Sequence, residues 1–531
     1  MLKKKWFLYL TGFFSGMSIM GIELGASRLL SPYFSSSQIV WTIIIGTIMI
    51  AMALGNVLGG KMADKFKEPT RLFVLLFSAA VWTALIPFLG KFIMSGIALG
   101  LATFITHNYL IWAALVSCIV IFVYPLLILG MVTPNLVKYA CNDLENSGRV
   151  VGTIEALNTI GSIIGTFLPT FVTIPSIGTT WTFEIFASIL FIITMTYFII
   201  KGVSLVKKLV VMVISLALGI ASSFIPTAFW ESNVIYEGES IYNYLRVADE
   251  GDEIIFSTNV LFGVQSVKMK NSEFSNDFND TALASVMLAD GYNKPVDVLV
   301  LGLGTGTFPT HCLKHFKINS IDGVEIDDKI IWLAHEYFDL PEEVNTFNED
   351  GRAYMARIDK MYDVIFVDAY QDISIPFSMS SIEFFKMVKS HLKEDGCLIV
   401  NMNMFTDKEG SIIDHIASTI NNVFDSVYTS KKYTNLEIFA SDYYNIEERF
   451  TEKMNELPYG KLRDKMDYAY TRLNEYTKTE YILTDDRAPV ERLSMNVLDD
   501  MIEEELTGIK EMIKGKSIKE LIEMLLNGEL G

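Results

Sequence analysis

The sequence predicts two fold classes in series: a multi-pass α-helical membrane domain, then a Rossmann-like α/β domain with a small antiparallel β lobe at its N-terminal edge. Three observations predict this. Of the 531 residues, 51% are apolar, too many for a soluble protein of this length. The charge divides by position: residues 1–230 hold 14 Lys and Arg against 7 Asp and Glu, whereas 231–531 hold 29 against 55, so two solvents are implied, lipid and then water. The apolar run Val296, Val298, Leu299, Val300, Leu301 ends in Gly302, Gly304 and Gly306. That is the pattern of a buried parallel strand entering a turn whose backbone can approach a ligand.

In chain order, Met1 to Lys5 is a short basic leader, and Trp6 to Leu30 is too long, and too poor in a small-residue cleavage site, to be a signal peptide. It reads as a first membrane helix of a domain covering 1–230. Further spans read as 39–60, 72–90, 109–134, 150–173, 180–200 and 208–226, each long enough to cross ~30 Å of hydrocarbon. An apolar stretch at 91–106, interrupted by Gly96 and Gly100, is an eighth span, a re-entrant piece or an interfacial helix. Placing Lys3 to Lys5 inside gathers Lys61, Lys65, Lys67, Arg71, Lys138, Arg149, Lys201, Lys207 and Lys208 on the same side, as the positive-inside rule prefers. Seven spans then leave the second half outside, unless 91–106 adds a crossing or one span does not cross.

Charge inside lipid is costly, so Glu23 with Arg28, and Glu155 with Asn158, are expected to face the bundle interior as a binding site or a polar clamp. Gly161 and Gly165 form a GxxxG spacing that lets helices pack closely.

The second half divides into a β lobe (231–294), a nucleotide-binding core (295–445) and a C-terminal helical segment (446–531). Ser232 to Lys270 alternates with turn residues, as a small antiparallel sheet does. In the core, Glu325 follows the glycines by about twenty residues, the position from which a carboxylate accepts both hydroxyls of a ribose. Asp350-Gly351 and Asp368 stand at the carboxyl ends of two further predicted strands. Three acids and a glycine turn therefore gather at four strand ends, the crevice where doubly wound sheets bind nucleotides. The tail 498–531 reads as an amphipathic acidic helix pair.

The words ESIYNYLRV (239–247), LFGVQSV (261–267), VLVLGLGTGT, GVEID, EDGRAY, FVDAY, IPFSMSSIEFF (375–385) and LTDDRAPVE (483–491) resemble the spermidine synthase family of aminopropyltransferases, in the form fused behind membrane helices. They occur in family order across about 230–495. The resemblance implies an S-adenosylmethionine-dependent methyltransferase-type fold, with decarboxylated S-adenosylmethionine, or S-adenosylmethionine itself, as co-substrate and no metal. It implies cofactor contacts from Gly302, Gly304, Gly306, Glu325, Asp350 and Gly351, with Asp350 accepting from the adenine amino group. Asp368 matches the catalytic acid, which holds and deprotonates the attacking amine; Tyr242, Gln265 and Tyr370 would hold the substrate.

This chain departs from the family pattern at several places. Asn243 stands for a glutamine, Thr305 for an acid in the glycine turn and Gln371 for the second acid of the DxxD word, with Asp372 one place late. Asp277-Phe278-Asn279-Asp280-Thr281 stands where the family has a Tyr-His-Glu type word.

The acidic second half argues against nucleic acid, which needs a basic face, and suits a cationic substrate. Four scattered cysteines and six histidines have no metal-binding spacing. The expected activity is transfer of an aminopropyl group to an amine such as putrescine. One alternative is methylation of a lipid or a membrane-delivered small molecule; another is a polyamine transporter or sensor with a non-catalytic nucleotide domain. The expected partners are a small amine and the lipid bilayer, with a homodimer allowed for, and the expected place is the cell membrane with the catalytic domain cytoplasmic, because its cofactor is made there.

Overall fold

The computed structural model describes residues 5–35, 37–66, 68–141, 147–260, 263–369, 375–403, 405–513 and 516. The first half is a helical bundle: α1 (Lys5–Phe34), α2 (Gln38–Lys65), α3 (Thr70–Ala102), α4 (Tyr109–Gly130), α5 (Val132–Ala140), α6 (Ser147–Leu168), α7 (Ile174–Lys201) and α8 (Val206–Ala221). Among the described residues, six helical stretches are long and apolar enough to cross a membrane. One of them, Ser147–Lys201, joins α6 through a π-helical turn, Pro169–Thr173, to α7, which breaks near its start at Gly178 (φ 83°, ψ 171°), so it supplies two rods.

The stretch 91–106 is not an element of its own. Through Ala102 it continues α3, because Gly96 and Gly100 each weaken a helix by only about 1 kcal/mol and the surrounding apolar turns pack. A second expectation also fails. Glu155 lies exposed on α6 rather than facing the bundle interior; a buried acid of the bundle is instead Glu184 of α7, whose two carboxylate oxygens have no hydrogen-bond partner among the described residues.

Helices α1 and α6 run parallel and very close. Asn158 Nδ2 donates to the Gly12 carbonyl at 3.3 Å and Ser162 Oγ to the Gly16 carbonyl at 3.2 Å, one helical turn on in both chains. A side chain at Gly161 would overlap the Phe13 carbonyl, which is the close packing expected of the GxxxG spacing.

The bundle has a basic end and a docking end. At the basic end Lys138 pairs with Asp64 (3.3 Å) and Lys201 with Glu68 (3.1 Å). At the other, the Val260 N–H donates to the Pro32 carbonyl (2.8 Å), Tyr33 Oη donates to the Thr227 carbonyl (2.8 Å), and Lys91 Nζ donates to the Ser222 carbonyl (3.0 Å).

The second half begins with a four-stranded antiparallel sheet in chain order: β1 (Val234–Glu239), β2 (Tyr244–Asp249), β3 (Glu253–Ser257) and β4 (Ser266–Met269). An eight-stranded sheet follows, from β5 (Val296–Leu301), β6 (Ile318–Glu325), β7 (Val344–Asn348), β8 (Tyr362–Val367), β9 (Leu392–Met402), β10 (Ser426–Lys432), β11 (Asn435–Ser441) and β12 (Leu473–Glu475), in the order β12-β10-β11-β9-β8-β5-β6-β7. The strands from β9 to β7 are parallel and the other three antiparallel. Most side chains of β5 and β8 are fully buried, as a sheet covered by helices on both faces requires.

The segment from 446, expected to be helical, contains helices Ile446–Glu456, Lys461–Tyr470 and Val490–Ile513 but also supplies β12 to the sheet edge. Three residues are too few for an alternating pattern to be visible. Of the expected terminal helix pair, the first helix is the end of Val490–Ile513, and the remainder lies outside the described residues apart from 516.

Candidate active site

Strand β5 lies between β6 and β8, so the chain leaves β5 at the point where strand order reverses and a crevice opens at the strand ends. Gly302 turns there with φ +88°; a Cβ on it would stand 2.6 Å from the Asp368 carbonyl oxygen. Only glycine allows β5 and β8 to close so tightly below the site. Above them is a cavity of about 650 Å³.

Of the residues expected to form the site, Gly302, Gly304, Glu325, Asp350, Gly351, Asp368, Tyr242 and Gln265 all line this cavity. Gly306 does not; it precedes the helix Thr307–His315 with φ +78°. Tyr370, Gln371 and Asp372 lie outside the described residues.

Glu325, at the end of β6, accepts the Gly304 N–H at 3.0 Å and the Asp327 N–H at 3.2 Å, leaving lone pairs for two hydroxyl donors. Burial pushes its carboxyl up to about 7 against the pull of those N–H groups. Asp350 caps the helix Gly351–Arg357 by accepting the Ala353 N–H at 2.8 Å. That fixes its carboxylate at the cavity edge.

Asp368 follows β8. Its Oδ1 accepts from Asn401 Nδ2 at 2.7 Å, and Asn401 Oδ1 in turn accepts from Asn435 Nδ2 at 3.0 Å. Burial lifts the Asp368 carboxyl to about 8, and the charges of Asp277 and Glu325 add to the rise.

Asp277 is the residue that sequence reasoning missed. It stands within a word read only as a departure from the family pattern, yet it lines the cavity beside Asp368. It caps the short helix Phe278–Ala282, accepting the Asn279 N–H at 2.8 Å, and burial pushes it up to about 6. Asn401 and Asn435 were missed as well; the signal available was a pair of asparagines at adjacent strand ends. Leu498, Met501, Ile502 and Glu505 of the C-terminal helix close the cavity from outside.

Asp485 does not reach the cavity. It pairs with Arg352 through two bonds of 2.7 and 2.6 Å and accepts from Ser381 at 2.5 Å, so the LTDDR segment fastens the helix after Asp350 instead.

Among the described residues, Asp277, Glu325, Glu349, Asp350, Asp368 and Glu505 line the cavity and no Lys, Arg or His does. The lining is therefore rich in acidic groups and lacks a basic one among the described residues. Among the described residues no cluster of three or more metal-ligating side chains forms.

A family model for the spermine/spermidine synthase domain matches residues 280–454. The chain is 40% identical over 347 residues to a probable polyamine aminopropyl transferase of Bifidobacterium longum, covering 61% of this chain and 77% of that one. It is 27% identical over 216 residues to a polyamine aminopropyltransferase of Vibrio vulnificus, covering 39% and 70%. A crystal structure of spermidine synthase from Thermotoga maritima aligns over 45% of this chain and 84% of that one, at 20% identity and a TM-score of 0.37.

Proposed function

Because this chain belongs to the spermidine synthase family of polyamine aminopropyltransferases, we propose that it is a membrane-bound enzyme that transfers an aminopropyl group from decarboxylated S-adenosylmethionine to a small diamine such as putrescine. The observation that carries the donor is the absence of any basic side chain around the cavity among the described residues, beside six acids. The carboxylate of S-adenosylmethionine would meet no counter-charge there, and a buried unpaired charge is strongly disfavoured. The decarboxylated donor presents an ammonium and a sulfonium instead, which Asp277 and Asp368 attract.

In this reading Glu325 accepts the ribose hydroxyls and Asp350 the adenine amino group, leaving the reactive carbon near Asp368. The acceptor enters as an ammonium. Asp368 takes one proton from it, the freed nitrogen pair forms the C–N bond, and the C–S bond breaks with its electrons returning to sulfur, which leaves as a neutral thioether. With its carboxyl raised to about 8, Asp368 is matched to a proton transfer near neutral pH. Asn401 donates to one Asp368 oxygen, which leaves the other free to face the amine. The altered acids of the family pattern, Thr305 and Gln371, are offset by Asp277, which brings a second carboxylate from a different element.

Membrane embedding is supported by the outer surface of the bundle, where Met49 and Ile50 (64% exposed), Phe167, Ile192 and Val206 present apolar side chains outward.

Calorimetry of the full-length protein with each sulfonium tests the donor. The decarboxylated form is expected to bind at least about tenfold more tightly, and mass spectrometry to detect the aminopropylated diamine. Preference for the carboxylated form would overturn this reading and indicate a methyltransferase.

A further inference from the structure

The turn Ser240–Asn243 joins β1 to β2, and Tyr242 and Asn243 within it line the catalytic cavity. It is held from two directions. On the nucleotide side, Ser240 Oγ donates to Asp327 Oδ2 at 2.5 Å, and Asn243 Nδ2 reaches the same oxygen at 3.4 Å. The Asp327 N–H donates in turn to Glu325, so this side of the turn is tied to the ribose position.

On the bundle side, Arg28 of α1 donates through Nη1 to the Tyr242 carbonyl at 3.2 Å and through Nη2 to the Ile241 carbonyl. Immediately before the turn, Glu239 accepts from Thr179, through the backbone N–H at 3.3 Å and the hydroxyl at 2.5 Å. Thr179 is the residue that follows the break in α7 at Gly178. Two bundle helices thus hold the four-residue turn and the residue that leads into it.

A guanidinium is a rigid planar fork, so bonding two successive carbonyls fixes the orientation of the peptide planes between them. That orientation sets where Tyr242 and Asn243 point. A charged side chain near the end of an apolar helix must find polar partners, and here the partners found are the backbone of the active-site turn.

We propose that Arg28 and Thr179 are positioning residues of the transferase site: the bundle fixes the turn that presents Tyr242 and Asn243 to the acceptor, so the membrane half completes the acceptor wall as well as anchoring the enzyme. The assignment rests on the aminopropyltransferase reading for its kinetic consequence, though not for its structural one. The donor's own contacts, Glu325 and Asp350, lie on β6 and at the start of the helix Gly351–Arg357, and Arg28 and Thr179 bond to neither, so acceptor and donor should respond differently.

The test uses full-length protein in lipid nanodiscs, with Arg28→Gln, Arg28→Lys and Thr179→Ala. The KM for putrescine is expected to rise about tenfold in Arg28→Gln, the loss of bonds from a charged donor, and less in Arg28→Lys and Thr179→Ala. Affinity for the decarboxylated donor, read by calorimetry, should stay within about twofold. Hydrogen–deuterium exchange in 238–247 should quicken in each variant while 296–301 stays protected. An unchanged putrescine KM with only a lowered melting temperature would make Arg28 merely structural and overturn the assignment, as would unchanged exchange in 238–247. If the wild type transfers no aminopropyl group, the proposed function fails and the exchange result alone decides the role of Arg28. Should Arg28→Gln fail to fold, Thr179→Ala probes the same turn from the other helix.

Discussion

The Asn401 side-chain amide donates to Asp368 Oδ1 at 2.7 Å across adjacent parallel strand ends. This bond favours the ionised form and so opposes the rise that burial imposes on Asp368. Replacing Asn401 by Ala therefore raises the Asp368 carboxyl further. The rising limb of kcat/KM against pH should move to higher pH, with activity lost at neutrality and partly regained at pH 9. A profile that drops without shifting would refute this role.

Asp368→Asn removes the base itself. The expected loss in kcat is about 10²–10⁴-fold, the usual contribution of a positioned proton acceptor. Calorimetry should still detect donor binding, because Glu325 and Asp350 remain. The same variant has a stability signature. A carboxyl raised from 3.8 to about 8 contributes stability that is fully present at low pH and lost as pH rises through the folded value. Between pH 6 and pH 9 the melting temperature of Asp368→Asn should fall less than that of the wild type.

Asp277 raises Asp368 by repulsion. Asp277→Asn should shift the rising limb of kcat/KM to lower pH, the direction opposite to Asn401→Ala, while raising the KM for the diamine through loss of a carboxylate. The pair of opposite shifts, read on one instrument, distinguishes electrostatic tuning from general damage.

Gly302→Ala places a methyl 2.6 Å from the Asp368 carbonyl at φ +88°. Strain of this kind costs about 1–3 kcal/mol, so the melting temperature should drop and donor binding weaken together. Normal stability in this variant would mean that β5 and β8 do not close as tightly as described.

Reporter fusions decide the side of the membrane. The uninterrupted α3 leaves seven rods among the described residues, and the catalytic domain docks at the end away from Lys65, Lys138 and Lys201. Loop charge alone favours a position outside the cytoplasm, whereas the proposed function needs the cytoplasmic side, where its donor is made. Green fluorescent protein fused at the C-terminus should be bright and alkaline phosphatase inactive. The reverse result would put the catalytic domain outside the cytoplasm, away from its donor, and show that the loop charges set the orientation.

The sequence by itself determined the division into an apolar half and an acidic half, the glycine turn after β5, and the acids at the ends of β6 and β8. Each of these is written in consecutive residues: hydrophobic runs, period-two alternation, and glycine where the backbone needs positive φ. It also carried the family words that name the chemistry. Only the tertiary structure decided that 91–102 prolongs α3, that three residues at 473–475 join the sheet edge, that Glu155 is exposed, that Asp277 and Asn401 line one cavity, and that Arg28 holds the turn beside it. Those facts depend on contacts between residues from 33 to more than 200 positions apart, and such contacts are set by how faces pack after the elements have formed. A local pattern reports the conformation of a segment; it does not report which distant segment will share its cavity.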